Sequence, residues 1–150
     1  MHKGFGNLIN RLSQRLGLTV DAGATSLFRE TALCGGDFIK DFQALAGPEA
    51  VESALISDSA GIGFSSSAMR SVGIRTLAIV PHKDARAVAP TPDAIRSRQY
   101  PMSRTFGIAI NQPMNQPLSL ALQVFIDFVL SPEGQSIVTK AGYVSLYSSG

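Results

Sequence analysis

The stretch Leu18-Thr19-Val20-Asp21-Ala22-Gly23-Ala24-Thr25-Ser26 decides how the chain folds. An apolar run from Leu18 to Val20 reads as a short strand. It enters a turn of small residues, Asp21 to Ser26, from which a helix of about Ser26 to Leu33 is expected to leave. Strand, small-residue turn and helix together are the building unit of α/β proteins. Such a turn also places the unpaired N–H groups and partial positive charge of a helix N-terminus where an oxyanion can reach the backbone. Thr25 and Ser26 add hydroxyl donors beside it.

Upstream, Leu8, Ile9, Leu12 and Leu16 follow helical spacing and predict an amphipathic helix closed by Gly17. Downstream, Phe38, Phe42 and Leu45 continue a helical apolar pattern as far as Gly47-Pro48. Pro48 then opens a helix with Glu49 and Glu52 near its start and Val51, Ala54 and Leu55 turned inward. Gly61 to Phe64 and Ile74 to Val80 read as strands, the second stopped by Pro81. His82 to Pro92 is a surface connection, and Arg70, Arg75, Lys83 and Arg86 form a solvated scatter of charge. Thr91-Pro92-Asp93 starts a helix over Ala94 to Arg98, and Arg104 to Ile110 is another strand candidate.

Leu118, Ala121, Leu122, Phe125, Ile126 and Val129 recur at i, i+3, i+4, i+7, i+8 and i+11, the clearest helical periodicity in the chain. One face of that helix must be buried, so truncating Phe125 to Ala is expected to cost about 3 to 5 kcal/mol. Ser131-Pro132-Glu133 supplies an N-cap, a first-position proline and a first-turn acid, and Gly142 closes the helix that follows.

With 150 residues, 45% of them apolar and 16% charged, the chain can bury one respectable core. A net charge of +2, no Trp and no interleaving of Arg with aromatic residues argue against nucleic acid as a partner. The single Cys34 cannot form an internal disulfide and is expected as a small buried residue. No Cys and His pair has metal-ligand spacing, so neither metal nor cofactor is expected. The first 20 residues interrupt their apolar positions with Asn, Arg, Ser and Gln, which is not a signal-peptide core.

Four stretches, in this order and spacing, resemble the second half of the phosphate-binding subunits of bacterial ABC transporters, which have the two-lobed type II periplasmic-binding-protein fold. They are Ala32-Leu33-Cys34-Gly35-Gly36-Asp37-Phe38, Ser59-Ala60-Gly61-Ile62-Gly63-Phe64, Tyr100-Pro101-Met102-Ser103-Arg104, and Phe128-Val129-Leu130-Ser131-Pro132-Glu133-Gly134-Gln135 with Gly142-Tyr143-Val144. The resemblance implies an α/β chain made of the second lobe plus the C-terminal strand and helices that return to the first lobe. Residues 1–17 are then an amphipathic N-terminal segment, 18–99 the second-lobe-like domain, and 100–150 the returning strand and helices. Most of the first lobe has no counterpart in this sequence.

The resemblance also implies a binding site formed by Asp21, Gly23, Ala24, Thr25 and Ser26. Asp21 would accept the proton of monobasic phosphate and so disfavour sulfate. Ala24 stands where the family has Gly, Gly23 stands where it has a Ser donor, and the upstream Arg of the family falls near Thr19. Losing one such charge-assisted donor costs about 1.5 to 3 kcal/mol. Arg29 is expected to point away from the helix N-terminus.

The implied activity is oxyanion binding without covalent chemistry, in the periplasm or at the cell surface. Phosphate is the ligand and transporter membrane subunits are the partners. The rival reading is an interaction or sensory module that keeps the fold without the ligand. A hydrolase built on Ser65-Ser66-Ser67 ranks lower, because His2 and His82 lie in a terminus and a loop without an orienting acid. The apolar helix face, deprived of the first lobe, is expected to find cover by self-association.

Overall fold

A computed structural model describes residues 15–19, 23–66, 71–113 and 115–147. The greater part of the helix expected over Leu8 to Leu16, together with Val20, lies outside them. The chain divides into two compact units, one ending at Leu77 and one beginning at Ala78.

In the first unit, Arg15–Leu18 is strand β1, so the helical reading of Arg15 and Leu16 is overturned. Gly23–Ala32 is α1, Phe42–Leu45 is β2, Pro48–Ser57 is α2, and Ile62–Gly63 is β3. The three strands form one parallel sheet in the order β2-β1-β3, with Leu16 opposite both Gln43 and Gly63. Parallel neighbours require crossovers, and α1 and α2 supply them. Leu16 and Val51, 1% and 0% exposed, are the heart of the core, with Ala24, Leu45, Ala54 and Leu55 packed around them. Burying a side chain of this size stabilises the fold by roughly 1.5 to 3 kcal/mol. The inward set expected for α2 is the set that packs here.

The helical pattern expected through Phe38, Phe42 and Leu45 is also overturned, since Phe42 to Leu45 is strand. The spacing of these aromatics serves a different purpose. Phe38 stacks on Phe42 and Phe28 stacks on Phe64, each pair with ring centres 4.2 Å apart, and the four rings make one cluster. Gly17 lies beneath it. A Cβ there would overlap the Phe64 ring and stand 2.7 Å from Phe42 Cζ, so only glycine lets β1 pass under the rings.

The turn after α1 is closed by its own sequence. Cys34 and Gly35 adopt positive φ of 51° and 80°, and the Gly35 and Gly36 N–H groups donate to Arg29 O and Leu33 O. Cys34 is exposed rather than buried, because a helix-ending residue in that conformation projects from the turn.

In the second unit, Pro92–Arg96 is α3, Leu120–Leu130 is α4, and Pro132–Lys140 is α5. Among the described residues, the segment Ile74 to Val80, which spans the boundary between the units, carries one antiparallel bridge, Ile79 to Val88, and Arg104 to Ile110 is not assigned to a strand. Both segments have strand-forming residues but enter no ladder among the described residues. The caps are as the sequence dictates. Thr91 accepts from Ala94 N, and Ser131 accepts from Gly134 N while donating to Phe128 O. Ser131 thus ends one helix and begins the next. Gly142, at φ 84°, follows α5.

Gly134 allows the tightness of this corner, since a Cβ there would overlap Phe128 O and stand 2.9 Å from Val129 O. The buried Gln135 ties the corner to the C-terminal segment, donating to Val129 O at 2.8 Å and accepting from Leu146 N at 2.8 Å. Arg96 holds the same segment from α3, donating to Ser145 O and Tyr147 O while paired with Asp93.

The burial expected on α4 is only half realised. Leu118, Leu122, Ile126 and Val129 are half-buried, whereas Leu120, Val124, Phe125 and Phe128 are exposed, Phe125 by 52%. The helix is apolar on most sides, Gln123 and Asp127 forming its one polar strip, and its half-buried stripe covers only part of the apolar surface.

Candidate anion-binding site

The candidate site forms where the central strand ends. The chain leaves β1 at Leu18, and α1 starts at Gly23, three residues earlier than the sequence suggests. Gly23, Ala24, Thr25 and Ser26 therefore constitute the first helical turn itself. An α-helix leaves its first N–H groups without an intrahelical acceptor and carries about half a positive charge at this end. In an open parallel sheet the carboxyl ends of the strands are where ligands collect. The backbone of Gly23 to Ser26 is placed to offer donors at that edge.

The side chains divide differently. Thr25 is 2% exposed and its hydroxyl donates to Thr19 O at 2.9 Å, so it ties the helix to the strand end and is not directed outward as an anion donor. Ala24 packs its methyl group against the Leu16 and Val51 core, leaving its backbone alone for a ligand. Ser26 is exposed and Gly23 half-buried. Asp21 lies outside the described residues, as does Ala22.

Arg29 behaves as expected. Its guanidinium bonds Gly36 O at 3.0 Å and Asp37 at 2.7 Å, which brings it to the loop after α1 and away from the helix start. The Gly35-Gly36-Asp37 motif is therefore held by a side chain from the helix it terminates. A shallow depression of about 270 Å³ lined by Ser26, Arg29, Glu30 and Gly35 runs along the outer side of α1, where the Glu30 carboxylate and the pairing of Arg29 make it a poor anion seat.

Ser65 and Ser66 follow β3 at the same end of the sheet as the α1 N-terminus, and their hydroxyl oxygens are buried without a hydrogen-bond partner. Ser67 lies outside the described residues. His82 stands exposed in a loop of the other unit. No cluster of His, Cys, Asp and Glu suited to a metal occurs among the described residues, and no described helix is long and apolar enough to cross a membrane.

No family model matches the chain. The phosphate-binding protein PstS of two strains of Pseudomonas aeruginosa is 29% identical over 141 residues, which is 94% of this chain and 44% of those proteins. The crystal structure of the phosphate-binding protein of a phosphate ABC transporter from Streptococcus pneumoniae superposes with a TM-score of 0.65 at 20% identity, over 91% of this chain and 52% of that one. The chain resembles the phosphate-binding proteins of ABC transporters. It has their α/β periplasmic-binding-protein fold over the shared part, and it spans about half the length of these PstS relatives. Those relatives are named as phosphate-binding proteins and not as enzymes.

Proposed function

We propose that the chain binds phosphate at the first turn of α1, as the second-lobe part of a PstS-like solute-binding component of an ABC-type phosphate transporter. The carrying observation is the α1 N-terminus at the carboxyl end of the central parallel strand. Backbone donors of Gly23 to Ser26 and the exposed Ser26 hydroxyl hold the anion, and Asp21 accepts a proton from its monobasic form. Binding by this chain alone is weak, because Thr25 is committed to Thr19 O. Residues 18–99 act as the ligand-bearing lobe and 100–150 as the returning part. The partners are the transporter's membrane subunits, and the setting is the periplasm or the cell surface.

Calorimetry with phosphate and sulfate near pH 6 to 7 tests this. Two unprotonated anions in contact repel, so sulfate should bind less well, and Asp21→Asn should narrow the difference. Ser26→Glu keeps the helix start favourable, since an acid there suits the dipole. It should nevertheless weaken phosphate binding about tenfold or more by repulsion. A bulky residue at Ala24 is a poor probe because its side chain belongs to the core.

The packing of Ala24 and Thr25 favours a second reading, an interaction or sensory module that keeps the fold without the ligand. If neither anion binds at millimolar concentration, that reading takes the place of the first.

A further inference from the structure

Ser65 and Ser66 lie where the sheet changes its direction of growth. The chain runs from β1 to β2 on one side and then returns past β1 to β3 on the other, so the order β2-β1-β3 reverses between β1 and β3. Outside the carboxyl ends of two such strands the connections diverge and leave a crevice, which is where open α/β sheets take their ligands. The helix α1 starts on the β1 side of that crevice, and Ser65 and Ser66 follow β3 on its other side.

The hydroxyl oxygens of both serines are buried without a hydrogen-bond partner. A buried hydroxyl in that state opposes folding, and a ligand that completes its bonding is one reason to keep it. Position separates the two serines. Phe64 N donates to Leu16 O at 3.2 Å, and the register of Leu16 with Gly63, continued by three residues, brings Ser66 level with Thr19. Thr19 O accepts from Thr25 Oγ1, so this is the strand end tied to the first turn of α1. Side chains alternate along extended chain, which gives Ser66 the side that Phe64 takes and Ser65 the opposite one. Phe64 stacks on Phe28 of α1, so the side of Ser66 is the side of α1.

We propose that the Ser66 hydroxyl is a further donor of the phosphate site, reaching across the crevice between β1 and β3 to an anion held by the first turn of α1. It supplies the buried side-chain donor that Thr25, turned to Thr19 O, does not. Ser66 is half-buried as a whole, and one change of staggered well about its single side-chain torsion turns the oxygen toward the ligand. The proposal rests on phosphate binding at α1 and adds to it a residue from the far side of the crevice.

Calorimetry with inorganic phosphate on the full chain tests it. Ser66→Ala should weaken binding about tenfold, the worth of one hydrogen bond to a charged group. Ser65→Ala, on the opposite side, should bind as the wild type does. Urea unfolding without phosphate separates a ligand donor from a structural hydroxyl, because removing an unpartnered buried hydroxyl leaves the Ser66→Ala midpoint unchanged or raises it. Added phosphate should raise the midpoint of the wild type more than that of Ser66→Ala. Undiminished binding by Ser66→Ala overturns the proposal, and if Ser26→Glu still weakens binding, the α1 site stands without Ser66. An equal loss in Ser65→Ala overturns it too, as does a Ser66→Ala midpoint lowered in the absence of phosphate. A wild type that binds no phosphate at millimolar concentration refutes the α1 site and this proposal together, and shows itself before any variant is made.

Discussion

Replacing Gly17 with Ala tests the first unit by the sign of its effect. Glycine inside a strand normally costs about 0.5 to 1 kcal/mol relative to alanine, so an unhindered Gly17→Ala would stabilise the protein by that amount. Beneath the aromatic cluster the new methyl would overlap the Phe64 ring and stand 2.7 Å from Phe42 Cζ. Neither ring can swing aside alone, since Phe64 is stacked on Phe28 and Phe42 on Phe38. Overpacking of this kind costs about 1 to 3 kcal/mol, which exceeds the propensity gain and leaves a net loss of roughly 0.5 to 2 kcal/mol. The chain has no Trp, and its three Tyr residues, Tyr100, Tyr143 and Tyr147, all lie in the second unit. Urea unfolding should therefore be followed by far-UV circular dichroism, with tyrosine fluorescence as a separate report on the second unit. A midpoint that rises would show that the rings do not cover Gly17, and the account of the cluster would fail. Phe64→Leu in the same background should recover part of the loss, because it removes the ring atoms that the methyl meets.

Gly134→Ala should open the corner between α4 and α5 and destabilise the second unit by more than 1 kcal/mol, read as an early tyrosine-detected transition. Gln135→Leu keeps the volume but strands Val129 O and Leu146 N, at about 1 to 3 kcal/mol for each polar group left buried and unpaired, measurable by the same titration. Phe125→Ala should cost only about 1 to 2 kcal/mol in dilute solution, since the ring is 52% exposed and the full cost of a buried Phe does not apply. The Glu133 carboxyl is held below the usual carboxylate range by its own backbone N–H and then by the Ser131 hydroxyl. Its contribution to α5 is therefore present above the ordinary carboxylate pKa and lost as pH falls through the lowered one. Thermal melts from pH 6 to pH 3 should show this decline, and Glu133→Gln should flatten it.

Local chemistry was the legible part of the fold. Thr91-Pro92, Pro48 with Glu49, and Ser131-Pro132-Glu133 each announce a helix start within four residues, and each helix begins there. Val51, Ala54 and Leu55 declared their inward face because their spacing has one structural reading. Strand positions were harder, since a strand is completed by a partner remote in sequence. Leu16 matched a helical stripe with residues before it and is instead the centre of a sheet. Phe38, Phe42 and Leu45 imitated a helix because ring stacking happens to use a similar interval. Ile74 to Val80 and Arg104 to Ile110 have the residues of strands but join no ladder among the described residues. At the candidate site, the sequence located the helix start to within three residues. It did not separate backbone from side chain, because Ala24 and Thr25 turn toward the core only once β1 is placed beneath them.

The sheet order has a consequence for synthesis. The ribosome makes the middle strand first, and its two neighbours follow much later, since Leu16 waits for Gln43 on one side and for Gly63 on the other. At about 5 to 20 residues per second, that second edge stays open for roughly 2 to 10 seconds. During that interval the nascent chain holds a core residue and at least one unpaired strand edge in water, and two until β2 is made. Slowing translation between β1 and β3 should thus lower the soluble yield, while a chaperone that shelters short apolar segments should raise it.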